Sequence, residues 1–63
     1  MKNHKPYCRL SEELTVLQII GRVESVLRQE GLLKEADEFF DRATRTVGKG
    51  QLLSVVKQYV QII

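Results

Sequence analysis

Val16 to Leu27 reads VLQIIGRVESVL, and the spacing of its aliphatic residues decides the fold. Val16, Ile19, Ile20, Val23, Val26 and Leu27 recur at steps of three and four, which gathers them on one side of a helix. Gln18, Arg22, Ser25 and Gln29 fall opposite. β-branched residues are frequent enough to suit a strand, but the alternation of period two that a half-buried strand requires is missing. Leu10, Leu14 and Leu17 add a second apolar flank, and Gly21 lies on its side. Glycine inside a helix costs roughly 1 kcal/mol against alanine, so Gly21 is expected to mark a close approach by another helix.

Upstream, Ser11 stands where its hydroxyl can cap free amides, followed by Glu12 and Glu13 where the helix dipole favours negative charge. The first helix is therefore expected from Ser11 to Glu30, about 30 Å at 1.5 Å per residue. Asn3, Pro6 and the charges of Lys2, Lys5 and Arg9 supply no periodicity. Residues 1–10 are accordingly read as a flexible basic tail and residues 11–63 as a single three-helix domain.

Downstream, Gly31 is the natural stop, because glycine takes the left-handed conformation that closes a helix. A second helix from Leu32 to Thr44 is expected to bury Leu32, Leu33, Ala36, Phe39, Phe40 and Ala43. Its charged face spaces Lys34 with Glu38, Glu38 with Arg42, and Asp41 with Arg45 four residues apart, pairs worth about 0.2–0.5 kcal/mol each. Gly31, Ala36, Phe40 and Ala43 are spaced so that this third of the chain resembles the second helix of a tetratricopeptide-type hairpin, in which a small residue and an aromatic pack on the preceding helix. The first-helix glycine of such a repeat would fall at Glu24, its proline near Gly48, and there is no second copy. The resemblance is one of packing.

Gly48 and Gly50 mark a turn in the segment Thr44 to Gly50, and a third helix is expected from Gln51 to Ile63. Gln51, Ser54, Lys57, Gln58 and Gln61 share one narrow polar face, and aliphatics occupy the remaining circumference. That apolar arc is much wider than the stripe of about 100° a surface helix needs. A 63-residue chain buries only about 60% of its unfolded surface, and Cys8, the one cysteine, allows no internal disulfide. Oligomerisation is the remaining supplement to the core. The expected contact surface is Leu14, Leu17, Gly21, Leu52, Val56, Tyr59 and Ile63, occupied by a second copy of the chain or by a larger protein.

The formal charge of +2 is distributed basic, acidic, basic, with all eight acids between Glu12 and Asp41. A helix-turn-helix built from the second and third helices is the alternative. It would contact nucleic acid through Arg42, Arg45, Lys49, Gln51, Ser54, Lys57 and Gln58, with Arg45 and Lys49 on phosphates. Against it stand the carboxylates of the second helix, a turn longer than the usual three or four residues, and a third helix without arginine.

Other chemistry finds little support. His4 and Cys8 are too few for a zinc site, and Asp37, Glu38 and Asp41 alternate with Lys34, Arg42 and Arg45 as a solvated ion-pair face would. Gly48-Lys49-Gly50 lacks the spacing and the Ser or Thr of a phosphate loop. The expectation is a small all-α, non-enzymatic regulatory or interaction module that forms a homodimer or docks on a larger protein. It needs no cofactor, metal or small-molecule substrate. No run approaches the ~20 apolar residues of a membrane span, and no signal-like stretch follows Met1, so a cytoplasmic location is expected.

Overall fold

The computed structural model describes residues 5–63, so the pairing of His4 with Cys8 lies outside the described residues. Three helices, α1 Val16–Gln29, α2 Leu33–Ala43 and α3 Gly48–Tyr59, make the expected small all-α fold. Two short strands, β1 Tyr7–Cys8 and β2 Gln61–Ile62, pair in parallel, with Tyr7 opposite Gln61 and Cys8 opposite Ile62.

The core is the predicted stripe of α1 closed by its partners. Ile19, Ile20, Val23 and Leu27 meet Ala36, Phe39 and Ala43 of α2 and Leu52, Val56 and Tyr59 of α3, with Val60 and Cys8 completing the cluster. Phe39 and Tyr59 meet edge to face, centroids 5.5 Å apart and planes inclined at 70°, a geometry that sets a positive ring edge on a negative ring face. The tetratricopeptide-like spacing holds for Ala36 and Ala43, which are buried. It fails at Phe40, because Phe39 on one side of those alanines turns into the core and Phe40, on their other side, falls on the flank.

Helix α1 begins later than Ser11, at a better cap. The Thr15 hydroxyl accepts from the Gln18 amide at 3.2 Å while the Gln18 side chain accepts from the Thr15 amide at 2.9 Å. This reciprocal box satisfies two donors where Ser11 would satisfy one. Ser11 instead closes a turn of its own, accepting from Glu13 and Leu14. At the other end Gly31, at φ 79°, performs the expected stop. Its amide bonds the Arg28 carbonyl and the Leu32 amide reaches the Leu27 carbonyl at 2.9 Å, the double bond of a Schellman closure.

The third helix is displaced from its expected range. It starts at Gly48, entered at φ 86°, and the Gln51 side chain receives the Val47 amide at 2.9 Å. It ends at Tyr59, because Val60 is extended and the chain continues into β2. Ile62 and Ile63, assigned to a helix by their apolarity, are β-branched residues that suit an extended ladder equally well. The amides of Gln61 and Ile63 donate to the carbonyls of Pro6 and Cys8 at 2.9 and 3.0 Å. Those bonds dock part of the stretch read as a tail: Cys8 is only 3% exposed and Leu10 packs on the core, whereas Tyr7 stays exposed.

Gly21 departs from its expected role as well. A methyl group built on it meets nothing within 4 Å, so no helix of this chain approaches there. Gly21→Ala should therefore stabilise the fold by up to about 1 kcal/mol, the ordinary propensity difference, raising the melting temperature by about 4–8 °C in a domain of this size. Gly31→Ala, forced to a positive φ, should instead destabilise by about 1–3 kcal/mol. Thermal melts followed by circular dichroism check both signs.

Candidate interaction surfaces

Burial divides the expected contact residues into two groups. Leu52, Val56 and Tyr59 belong to the core of the single chain, packed with residues of α1 and α2. Leu17 and Ile63 remain exposed, at 79% and 61%, and Gly21 is exposed with Leu14 half-buried. Leu14 and Gly21 share a shallow depression with Gln18, Arg22 and Ser25, whereas Ile63 follows β2. The expected surface therefore does not form as one patch.

A different apolar face stands in its place. Leu33 and Phe40, both expected in the core, are 55% and 47% exposed. They are seven residues apart, two helical turns, and so lie one above the other on α2. Ala36, Phe39 and Ala43 fill a narrow arc toward the core, leaving Leu33 and Phe40 roughly 60–100° from its centre at 100° per residue. The angular spread of the predicted face was the available signal: six apolar positions covered more circumference than one small core can hide. Val47, in the link to α3, is also exposed.

Electrostatics organise the flanks. Glu38 accepts a hydrogen bond from the Tyr59 hydroxyl at 2.6 Å in place of the expected pairs with Lys34 and Arg42. Arg42 donates to the same hydroxyl at 3.1 Å and lies 5.6 Å from the ring centroid. The expected pair of Asp41 with Arg45 forms at 3.2 Å, and Arg28 bridges Glu24 at 2.9 Å and Asp37 at 3.0 Å. These carboxylates are thus ion-pair and hydrogen-bond partners, and among the described residues no three His, Cys, Asp or Glu side chains cluster to hold a metal. Burial pushes the Cys8 thiol up from its ordinary range, with Arg22 opposing.

Four residues of the predicted polar face of α3, Gln51, Ser54, Lys57 and Gln58, are exposed on the helix, whereas the fifth, Gln61, lies in β2. The link between α2 and α3 comprises residues 44–47, shorter than the expected turn because α3 starts at Gly48. Arg42, Arg45 and Lys49 are engaged within the chain, on Tyr59, Asp41 and the Glu12 carbonyl, the last at 2.8 Å. Beside Lys49 a cavity of about 420 Å³ is walled by Leu10, Ile19, Leu53 and Ile62. Among the described residues no helix is long and apolar enough to cross a membrane. No family model, curated protein or solved structure matches the chain.

Tyr59 has a pH signature. Burial first, and then its bond to Glu38, raises the phenol above its ordinary value, while Arg42 opposes. The folded state thus favours the neutral phenol, and this contribution is complete below the unfolded value of about 10 and lost as pH rises through the higher folded value. Tyr59→Phe should cost about 1 kcal/mol at neutral pH and should flatten the fall in stability above pH ~10. Urea melts of both proteins across that range give the comparison.

Proposed function

We propose that this chain is a small non-enzymatic interaction module whose docking face is the outer side of α2. The observation that carries the reading is the exposure of Phe40 together with Leu33 on one helical line. An aromatic side chain combines large apolar area with few rotatable bonds, which favours it at binding hot spots. A second copy of the chain is the simplest occupant, since a patch on a single helix can form a twofold, self-complementary contact. Cytoplasmic residence, which a single unpaired thiol suits, belongs to the same reading.

The four-residue link and the exposed row Gln51, Ser54, Lys57 and Gln58 support a second reading, in which α3 meets the groove of a nucleic-acid duplex. It ranks second because Arg45 and Lys49 hold partners within the chain and α2 carries Asp37 and Asp41.

Sedimentation equilibrium over a concentration series separates them. Self-association through α2 predicts a mass rising toward the dimer and a melting temperature rising with concentration. Phe40→Asp and Leu33→Asp should abolish both effects while keeping the helical spectrum, because exposed positions tolerate substitution. A monomer at every concentration removes the homodimer. Binding of short duplexes that weakens with salt, by about 0.9 log units per tenfold salt for each phosphate contact, and that is lost in Lys57→Gln with Gln58→Ala, promotes the second reading.

A further inference from the structure

The segment Lys5 to Leu10 is fastened differently from the helices beside it. Its ladder to β2 has two paired residues on each side, held by the Gln61 and Ile63 amides on the Pro6 and Cys8 carbonyls. Beyond the ladder, the Lys5 ammonium donates to the Lys57 carbonyl at 3.0 Å, and the Gln61 side chain reaches the Lys5 carbonyl at 3.5 Å, the limit of a hydrogen bond. Both of these outer contacts are exposed to water. The apolar attachment consists of Cys8, fully covered, and Leu10, partly covered, while Tyr7 and Arg9 point to solvent. A two-stranded pair of this length has no independent stability in water. The helices also pack directly on one another: α1 on α2, α2 on α3 and α1 on α3, while β1 packs chiefly on α1 among them.

We propose that Lys5 to Leu10 is a releasable strap, which undocks as a unit from a persisting three-helix body and uncovers the Cys8 thiol and the part of the core on which Leu10 packs. Regions with few buried apolar contacts and solvent-exposed hydrogen bonds open below the free energy of global unfolding, and the strap combines both properties. Closed, Leu10 and Ile62 wall the cavity beside Lys49; open, that wall faces water and the Gln61 amide is free.

Cys8 reports the motion because it is the only thiol. On the full chain, labelling with 5,5′-dithiobis(2-nitrobenzoate) across subdenaturing urea should proceed with a much shallower urea dependence than helix unfolding followed by circular dichroism. Exchange of the Gln61 amide should share that shallow dependence, while the amides of Val23 and Val56 follow global unfolding. Gln61→Pro removes the donor to Pro6, and the extended Val60 already suits a residue that precedes proline. The variant should label at least about fivefold faster, the change expected from the backbone hydrogen bond alone, since the weak side-chain contact to the Lys5 carbonyl goes with it, and its helical spectrum should stay intact. Labelling of the wild type that tracks helix unfolding overturns the proposal, and so does loss of helicity in Gln61→Pro, since either result means that the strap and the helices open together.

Discussion

The contact between Phe39 and Tyr59 is the constraint on which the rest of the arrangement depends. It is the place where α2 and α3 are held in register, and it is reinforced from the polar side by Glu38 and Arg42 on the Tyr59 hydroxyl. A buried phenol without a partner would be costly, so the position of α3 along α2 is set by two requirements at once: the ring must reach Phe39 and the hydroxyl must reach Glu38. Once that register is fixed, Val56 and Leu52 fall over the stripe of α1, and Val60 is carried to the point where the chain can turn extended.

The same contact explains why α3 can be so apolar in a small protein. Its wide arc looks like an excess when the helix is considered alone, because a helix on a surface normally hides one stripe. Here the inward residues of α3, Leu52, Val56 and Tyr59, are covered within the chain, and the last apolar residues, Ile62 and Ile63, leave the helix altogether and stay exposed. Part of the apolar surface left to water lies on α2, whose narrow inward arc is filled by two alanines and Phe39.

How much was legible in the sequence follows from the range of the forces involved. The stripe of α1, the Gly31 closure and most of the polar face of α3 are local signals, repeated every turn or set by one residue's conformational freedom, and they appear where they are expected. Thr15 was legible in principle, since Gln18 three residues on completes its cap, but Ser11 followed by two glutamates is an equally good local pattern. The strands were not legible. Residues 7–8 and 61–62 are too short for any period, and their pairing depends on distant parts of the chain that meet only after the helices have packed. Gly21 misled because a helical glycine is compatible both with close packing and with nothing at all. The face of α2 was visible only as a spread of angles, which needs the true width of the core before it can be divided.

The parallel sense of the β1–β2 pair has a mechanical consequence. The chain enters β1 at one end of the ladder and leaves β2 at the other. Tension between Lys5 and Ile63 therefore pulls the strands lengthwise past each other and loads their hydrogen bonds together, whereas peeling from the Lys5 side breaks them singly. In this geometry the fastening is stiffer toward a steady pull along the chain than toward peeling. Attachment of Lys5 and Ile63 to separate bodies would thus load the hydrogen bonds of the short ladder at once.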